Sequence, residues 1–341
     1  MVAKETDILM PSVDEVTHKG LTALIKAGVP ESHARTQISL LLEAELRGIA
    51  SHGLLRLPRV IERINNGVCN PITRGKGIWT HQSFYQVDGE GGLGPVVALE
   101  ALDKVSKRAR ETGVAIAAIR NSDHLGMLAW YAERIAQEGQ ILVALTISEA
   151  LVHPWGGSEA MLGTNPIAIG IPAEPEPFVL DMATSLISMG KIHDYANRGT
   201  PIPSGWAVDM DGQPTTDAQS AKRGAIAPFG GAKGYGLGLS FELLVVALTG
   251  SAIGREVVGT LDSKFPCNKG DIFIVLEPAT GAKQIIGSFI DSLRASRPTD
   301  HRNPVRVPSD RARQTRAHNS QAEFDLDAAI WRQIEDLSNV T

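Results

Sequence analysis

The chain has 341 residues, of which 43% are hydrophobic and 21% are charged, the balance of an ordinary soluble globular protein. Its formal net charge of −5 argues against nucleic acid or an anionic membrane as a partner, so an anionic ligand would need a local cationic pocket. The two cysteines follow no metal or redox spacing and the N-terminus lacks a signal-peptide pattern, so a cytoplasmic location is expected.

Residues 12–68 predict three helices. Ser12 is followed three residues later by Glu15, which is the spacing of a capping box at the start of the first helix. The second helix is expected over 31–49, and the third ends at the turn 65–67. Enzymes with a standard dinucleotide-binding fold usually begin with a strand, so an all-helical opening indicates another architecture.

The stretch SHGLLR (51–56) lies between two of these helical segments. If a helix restarts at Ser51, His52 and Arg56 are four residues apart and share one face, about 5–6 Å apart at Cβ. A histidine can move a proton near neutral pH, and an arginine can hold a carboxylate through two parallel hydrogen bonds. The pair suits an enzyme that acts on a small organic acid. The alternative is a surface arginine beside a histidine that only satisfies a backbone carbonyl.

From residue 82 to residue 147 the pattern alternates between strand and helix. Strands are expected at 83–88, 114–119 and 141–147, and helices at 95–112 and 127–137. Such alternation predicts an α/β layer with a largely parallel sheet.

The segment GEGGLG (89–94) matches the G-x-G-x-x-G pattern and lies between an expected strand and an expected helix. A Rossmann site there would also need an acidic residue at the end of the next strand, to hold a ribose hydroxyl. That strand instead runs into Arg120 and Asn121, although an arginine could serve a 2′-phosphate. The alternative is a glycine-rich turn that lets the helix pack closely.

Beyond residue 148 loops dominate. Strands are expected at 167–172, 177–182 and 271–278, and helices from 181–185 onward, over 235–249 and toward the C-terminus. Residues 198–233 contain no clear element, and so long an irregular stretch is often functional. It ends at Lys233, where a cation and free backbone N–H groups at a helix start could meet a phosphate. The alternative is an exposed lysine in a flexible turn. The helix that follows is apolar nearly all round, which is typical of a core or a subunit interface.

Taken together, the motifs resemble those of the type 2 malate/L-lactate dehydrogenase family, which includes sulfolactate, ureidoglycolate and diketogulonate enzymes and cyclic-imine carboxylate reductases. The resemblance covers about residues 12–335. Seven motifs in the same order carry it: SHGLLRLP (51–58), NSDHLG (121–126), PWGG…LGTNPIAIG (154–170), LDMATS (180–185), GWAVDMDGQPTTD (205–217), FGGAKGYGL (229–237) and RVPSD (306–310).

The resemblance implies a non-Rossmann α/β fold with a mixed sheet and an N-terminal all-helical subdomain, as in L-sulfolactate dehydrogenase. Residues 1–75 would form the helical subdomain, residues 76–281 the α/β subdomain that binds NAD or NADP, and helices within 282–338 would pack with the first. It also implies a homodimer with the cofactor in a cleft near the subunit interface. Neither a nucleic acid nor a membrane is implied as a partner.

For the site, the resemblance implies hydride transfer between the nicotinamide and C2 of a small 2-oxo or 2-hydroxy acid. Arg56 would anchor the carboxylate, with Thr164 close to the substrate, and either His52 or His124 would transfer the proton, with Ser51 beside His52. By the same resemblance the cofactor is lined by Ser148, Asp181, Met182, Ala183, Lys233, Pro308, Ser309 and Asp310.

Two departures from the family pattern bear on these expectations. Ser309 stands where the family usually has glycine, which changes a flexible position beside the cofactor. Lys191, on the substrate side, stands where the imine-reductase branch has an acidic residue, which favours the 2-oxo acid over the imine. Reduction of a cyclic C=N and cofactor binding without turnover remain as alternatives. No metal site is expected, because the nine histidines lack H-x-x-x-H and H-E-x-x-H spacing.

Overall fold

The computed structural model describes residues 8–321 and 323–339. The helices are α1 (Val13–Lys26), α2 (Glu31–Leu46), α3 (Leu57–Asn65), α4 (Gly94–Thr112), α5 (Leu128–Gln137), α6 (Met189–Arg198), α7 (Ala218–Ala221), α8 (Ala232–Thr249), α9 (Ala282–Arg294), α10 (Asp310–Asn319) and α11 (Ala328–Asn339). The strands are β1 (Ile8–Leu9), β2 (Lys76–His81), β3 (Phe84–Asp88), β4 (Val114–Arg120), β5 (Ile141–Thr146), β6 (Ile167–Ile171), β7 (Phe178–Met182), β8 (Ala207–Val208), β9 (Pro214–Thr215), β10 (Ala225–Ile226), β11 (Gly270–Leu276) and β12 (Leu326–Asp327).

The main sheet has seven strands in the order β2-β3-β4-β11-β5-β6-β7. Only β3 and β4, which flank α4, pair in parallel, and the other five pairs are antiparallel. The prediction of a largely parallel sheet was therefore wrong, whereas the mixed sheet implied by the family resemblance is confirmed. Two of the five antiparallel pairs arise because β11, which comes from far along the chain, inserts between β4 and β5, and the other three join strands that follow one another in sequence. Consecutive strand and helix segments did not reveal that insertion.

Both faces of the sheet are covered, so the central strand β11 is apolar on both sides. On one face Phe273 packs with Tyr131 of α5 and Leu102 of α4. On the other face Ile272 packs with Val245 of α8. Alternate residues of one strand thus enter two different clusters, as the two-residue period of a strand requires.

A helical layer at one end of the molecule joins segments that are distant in sequence. The capping box of Ser12 and Glu15 is present at the start of α1, as predicted. Helix α11 contacts α1 and α3, α10 contacts α2, and β1 pairs with β12. Trp331 and Ile334 of α11 enter the same apolar cluster as Leu24 of α1 and Leu57 of α3.

Residues 183–233 form a small lobe that the sequence did not predict correctly. The helix expected to start within 181–185 begins only at Met189, capped by Ser188, whose Oγ accepts a hydrogen bond from the backbone N–H of Lys191. The intervening segment instead bonds to a loop, since Leu186 N–H donates to Ala227 O at 2.8 Å. The stretch 198–233 contains α7 and a three-stranded sheet, β10-β8-β9, rather than irregular chain.

Helix α8 packs one side on the sheet and exposes the other. Glu242 is fully buried on the inner side and accepts a hydrogen bond from Asn165 Nδ2 at 2.6 Å, whereas Leu243 and Leu244 are exposed. Among the described helices, α8 is the one whose length and composition would allow it to cross a membrane.

Candidate active site

The stretch SHGLLR does not restart an α-helix, so that prediction was wrong. Residues Ala50–His52 and Leu54–Arg56 form two separate 3₁₀ turns on either side of Gly53. The chain bends there around the buried carboxylate of Glu45, which accepts a hydrogen bond from the N–H of Leu54 at 2.8 Å. A Cβ at Gly53 would stand 2.1 Å from Glu45 Oε2, so a larger residue would displace the carboxylate that binds the N–H of Leu54.

Despite that bend, the functional side chains of the stretch converge. Ser51 Oγ lies 3.0 Å from His52 Nδ1, and Arg56 Nε donates to the carbonyl of Ser51 at 2.8 Å. The ring centroids of His52 and His124 are 5.5 Å apart, which brings the two candidate proton-transfer groups into one place. In the described part of the chain only Nε of Arg56 donates a hydrogen bond, which leaves its two terminal nitrogens for a ligand.

The loop that carries His124 is held by buried charges on both sides. Asp123 accepts from Arg63 Nε at 2.9 Å and from the N–H of His124 at 2.8 Å. On the other side, Ser122 Oγ donates to Asp271 at 2.8 Å, and Asp271 pairs with the buried Lys269. The position of His124 is therefore fixed by two ion pairs that water does not screen.

The two histidines differ in what their Nδ1 atoms can do. Nδ1 of His124 accepts from the N–H of Gly126 at 3.0 Å, so the neutral ring carries its hydrogen on Nε2. A second proton on Nδ1 would face a backbone donor. Nδ1 of His52 faces the hydroxyl of Ser51, which can both donate and accept, so His52 can exist in both charge states.

Burial and neighbouring cations keep both rings neutral at pH 7. Burial, and then the charge of Arg56, lower the pKa of His52 to about 4. Burial followed by Arg56 and His52 lowers the pKa of His124 well below its ordinary value. An anion that binds Arg56 would offset one of these causes and raise both pKa values.

A cavity opens beside His124 between α2, α3 and the loop at Thr260. Its walls include Gln37, Leu41, Arg56, Arg59, Val60, Arg63, Leu93, Asp123, His124, Gly126 and Thr260. The sequence reasoning missed Arg59 and Arg63. Arg59 is three residues after Arg56, and Arg63 is four residues after Arg59. This spacing was the available signal, since it puts all three on one side of a helix.

The residues expected to line the cofactor lie around the edge strand β7. Ser148 Oγ accepts from the N–H of Thr164 at 3.0 Å, and the carbonyl of Thr164 accepts from Thr184, which follows Ala183. The carboxylate of Asp181 accepts from the N–H of Ala129 at 2.7 Å and so caps the start of α5. That structural use of Asp181 was not foreseen. Met182 and Ala183 are partly buried beside it.

Residues 308–310 meet the same strand. Ser309 adopts a left-handed backbone with φ of 73°, and its hydroxyl donates to the carbonyl of Val179 at 2.8 Å. Ser309 thus keeps the left-handed backbone that suits the glycine usually found at this position in the family. Asp310 pairs with Arg294 at 2.7 Å, so its carboxylate is already engaged, while Pro308 is exposed.

Lys233 and Lys191 are both exposed near helix starts. Lys233 lies in the first turn of α8, whose N-cap Gly231 offers no side-chain cap, and no contact of its ammonium group is found within the described residues. The same helix packs on Thr184, since a Cβ at Gly238 would stand 2.7 Å from Thr184 Oγ1. Lys191 follows Gly190, where an added Cβ would stand 3.6 Å from Cβ of Ser51. The start of α6 therefore borders the histidine site.

The glycine-rich segment 89–94 is a packing turn and not a phosphate site. A Cβ at Gly94 would stand 2.3 Å from the carbonyl oxygen of His124, and one at Gly89 would stand 2.8 Å from that of Asn121. The backbone N–H groups of Gly89 and Gly91 donate to carbonyl oxygens at 2.8 Å and are not free for a pyrophosphate. The Rossmann interpretation of this motif is therefore wrong, and the close-packing alternative holds.

Comparison with known proteins decides the family. The sequence profile described as malate/L-lactate dehydrogenase matches residues 12–335. The chain belongs to this family. Its members are oxidoreductases that act on CH–OH groups, with imine reductases among them, so the enzyme class predicted from the motifs is confirmed.

Relatives within the malate/L-lactate dehydrogenase family match nearly the whole chain. The crystal structure of a dehydrogenase from Sinorhizobium meliloti is 50% identical, covers 98% of this chain and 99% of its own, and has a TM-score of 0.94. Sulfolactate dehydrogenase from Methanocaldococcus jannaschii is 33% identical, covers 97% of both chains, and has a TM-score of 0.90. Delta(1)-pyrroline-2-carboxylate reductase 2 from Burkholderia multivorans is 32% identical over 98% of both sequences. The predicted sulfolactate-dehydrogenase-like fold is thereby confirmed.

Proposed function

We propose that this family member is an NAD(P)-dependent oxidoreductase that interconverts a small 2-oxo acid and the corresponding 2-hydroxy acid. One observation carries the proposal: His52 and His124 lie 5.5 Å apart next to Arg56, whose terminal nitrogens have no partner among the described residues. An anchor for a carboxylate beside two neutral imidazoles suits a substrate whose reacting carbon is bonded to the carboxylate carbon.

The geometry favours different roles for the two histidines. Arg56 holds the carboxylate through paired hydrogen bonds. His52 transfers the proton at the C2 oxygen, because Ser51 can accept a hydrogen bond from Nδ1 when the ring is protonated. His124 donates a hydrogen bond from Nε2 while staying neutral, and so polarises the carbonyl without becoming charged.

The chain offers a fitting place for a nicotinamide dinucleotide at the edge of β7. Lys233 supplies an exposed cation at an uncapped helix start, which suits a pyrophosphate, and Ser148 and Thr164 supply two hydroxyl groups that lie 3.4 Å from each other. Met182, Ala183, Pro308 and Ser309 would contact the cofactor along the same edge, with Asp181 and Asp310 serving chiefly to hold that edge in place. When bound, the nicotinamide accepts or supplies the hydride at C2.

The direct test follows the absorbance of NADH and NADPH against pyruvate, oxaloacetate, other 2-oxo acids and cyclic imine carboxylates. Turnover of a 2-oxo acid, lost in Arg56→Met, is the expected result. Cofactor binding without oxidation of either nucleotide across this panel would favour a binding protein that has lost turnover. Reduction of a cyclic imine alone would favour the second candidate.

That second candidate is reduction of a cyclic imine carboxylate, which the match to the pyrroline-carboxylate reductase supports. The same Arg56 anchor and proton donor would serve a C=N bond. Lys191, whose helix start borders Ser51, favours the 2-oxo acid, because a cationic wall suits an anionic substrate better than a protonated imine.

We also propose that a second copy of the chain covers the outer face of α8. Leu237, Leu243 and Leu244 are 40%, 51% and 41% exposed on a helix whose other side packs on the sheet. Light scattering should show a dimer, and Leu244→Glu should weaken it, whereas Ile78→Glu on the exposed strand β2 should not. A wild-type monomer that turns over substrate at nanomolar concentration would refute this assembly.

A further inference from the structure

His52 and Arg56 lie on two different 3₁₀ turns, so the bend between these turns sets how the two side chains face each other. The first turn is Ala50–His52, and the second is Leu54–Arg56, which continues directly into α3. Gly53, the N-cap residue of the second turn, has no side chain that could accept from the first backbone N–H groups of that segment. The segment that carries Arg56 therefore needs an acceptor from elsewhere in the chain.

Glu45, near the end of α2, supplies that acceptor. Its carboxylate accepts a hydrogen bond from the N–H of Leu54 at 2.8 Å, and a Cβ at Gly53 would stand 2.1 Å from its Oε2. The carboxylate thus occupies the space that a side chain at position 53 would fill. Because the start of a helical segment carries a partial positive charge, a carboxylate is a favourable cap there.

The burial of Glu45 is not explained by stability alone. Glu45 is 8% exposed, and burial raises the pKa of its carboxyl group. Within the described residues the carboxylate has no ion-pair partner, and the N–H of Leu54 is its one hydrogen-bond donor. An apolar side chain at this position would avoid the cost of removing a carboxylate from water. The distinctive effect of Glu45 is therefore the geometry that it imposes on the bend.

A second hydrogen bond crosses the same bend. Arg56 Nε donates to the carbonyl of Ser51 at 2.8 Å, and Ser51 Oγ lies 3.0 Å from His52 Nδ1. If the bend opened, Arg56 would move away from Ser51, and the carboxylate anchor would move relative to the proton-transfer group. A displacement of about 1 Å between such groups can lower the rate about a hundredfold.

We propose that Glu45 is a positioning residue, whose carboxylate holds the bend at Gly53 and so sets the placement of Arg56 relative to His52. Glu45 acts through the backbone of Leu54 and does not contact the substrate. The inference rests on the proposed function, since it concerns the geometry of the same site. It requires a hydrogen-bond acceptor at position 45 and does not require a negative charge.

Two variants at position 45 separate the acceptor from the charge. Glu45→Gln removes the charge and keeps an oxygen that can accept from Leu54, whereas Glu45→Met removes both and keeps nearly the same length. The substrate is the 2-oxo acid that the wild-type enzyme reduces fastest in the panel above. Glu45→Met should lower its kcat/KM about ten- to a hundredfold, and Glu45→Gln should stay within about threefold of the wild type.

A third variant tests the same contact from the other side. Gly53→Ala keeps Glu45 but places a methyl group where its carboxylate lies, so it should reproduce the loss seen in Glu45→Met. If Glu45→Met does not fold, Gly53→Ala and Glu45→Gln still give the comparison between a displaced acceptor and a retained one.

A cofactor titration and a matched variant distinguish positioning from a general loss of structure. Titration with NADH or NADPH gives the concentration of folded enzyme, and the dissociation constant should be unchanged in Glu45→Met. Glu15→Met is the matched variant, because Glu15 accepts from the N–H of Ser12 at 2.9 Å at the start of α1, in the same helical layer. Glu15→Met should lower the urea midpoint and leave kcat/KM within about twofold of the wild type.

The pH profile provides a readout that a purely structural role would not change. The charge of Arg56 is, after burial, a cause of the lowered pKa of His52. Displacement of Arg56 in Glu45→Met should therefore raise this pKa in the free enzyme and shift the acid limb of kcat/KM for reduction to higher pH. Glu45→Gln loses the same charge and keeps the bend, so its limb should coincide with that of the wild type.

The outcomes separate this inference from the proposed function. A kcat/KM of Glu45→Met within about twofold of the wild type, an equal loss in Glu45→Gln or Glu15→Met, or an unshifted limb in Glu45→Met would overturn the positioning role and leave the proposed function intact. Absence of turnover by the wild-type enzyme with every substrate and both nicotinamide nucleotides would overturn the proposed function and this inference with it.

Discussion

Replacing His52 by Asn should damage catalysis more than replacing His124 by Asn. A positioned general acid or base contributes about 10²–10⁴-fold to the rate, and kcat of His52→Asn should fall by that factor. His124→Asn should cost less, because Nδ1 of His124 already accepts from Gly126, so the ring stays neutral and supplies only a hydrogen bond. An Asn amide can replace part of that hydrogen bond. Cofactor affinity should be unchanged in both variants.

The pH dependence follows from the lowered pKa of His52. With a pKa of about 4, roughly one free enzyme molecule in a thousand carries the proton at pH 7 that reduction of a 2-oxo acid requires. Because the protonated fraction grows as the pH falls, kcat/KM for reduction should rise about tenfold per unit from about pH 8 to 5. Oxidation needs the neutral ring, so its kcat/KM should show no acid limb over that range.

Substrate binding should shift the acid limb of the pH–rate profile for reduction to higher pH. The bound carboxylate offsets the charge of Arg56, which is one of the two causes that lower the pKa of His52. The pKa must therefore be higher in the complex, and the limb in kcat should lie at higher pH than the limb in kcat/KM.

Initial rates from pH 5 to 9 in both directions, with circular dichroism to verify folding, test these points. His52→Asn should remove the limb from the reduction profile and His124→Asn should retain it. If the limb survives in His52→Asn and disappears in His124→Asn, the two roles are reversed. A kcat limb below the kcat/KM limb would show that Arg56 does not hold the carboxylate beside His52.

Three further outcomes are expected. Lys233→Met should weaken cofactor binding about ten- to a hundredfold, as measured by fluorescence titration, because a charge-assisted contact contributes about 1.5–3 kcal/mol. The KM for the acid should change little. An unchanged dissociation constant for the cofactor would show that Lys233 does not bind it. At position 309, where φ is 73°, the Ser309→Gly variant should be about 1 kcal/mol more stable than the Ser309→Ala variant in urea unfolding. Both variants lose the hydrogen bond to the carbonyl of Val179, and only alanine is strained by the left-handed backbone. Equal stabilities would contradict a left-handed backbone there. Lys269→Met should lower the free energy of unfolding by about 3–5 kcal/mol, because it leaves Asp271 charged and buried. The double variant Lys269→Met with Asp271→Leu should recover much of this loss. No recovery would argue against the buried ion pair as the cause.

Much of the candidate site could be read from residue types and their order. His52, Arg56 and Lys233 were identified from residue types, because proton transfer, carboxylate binding and phosphate binding each require particular side chains. His124 was identified only through the family resemblance of its motif NSDHLG. The different roles of the two histidines could not be predicted from residue types. They depend on whether Nδ1 faces a hydroxyl or a backbone N–H, and those partners, Ser51 and Gly126, are ordinary neighbours in the sequence.

Arg59 and Arg63 show the same limit for the walls of the cavity beside His124. Their spacing from Arg56 places all three arginines on one side of a helix. Only the tertiary structure shows that Asp123, from a loop far along the chain, pairs with Arg63 and not with Arg59. Which of the two arginines pairs with a carboxylate depends on distances between segments, and no local pattern encodes those distances.

Sequence by itself determined most of the helices, six of the seven strands of the main sheet and the family, since periodicity, caps such as Ser12 with Glu15, and motif order are local properties of the chain. Tertiary structure alone decided the order and direction of the strands. Any apolar strand could satisfy the backbone hydrogen bonds of β4 and β5. Packing on both faces of the sheet selects β11, because Phe273 packs against α5 and Ile272 packs against α8. The same packing brings His52 to within 5.5 Å of His124 and so assembles the site from segments that the sequence keeps apart.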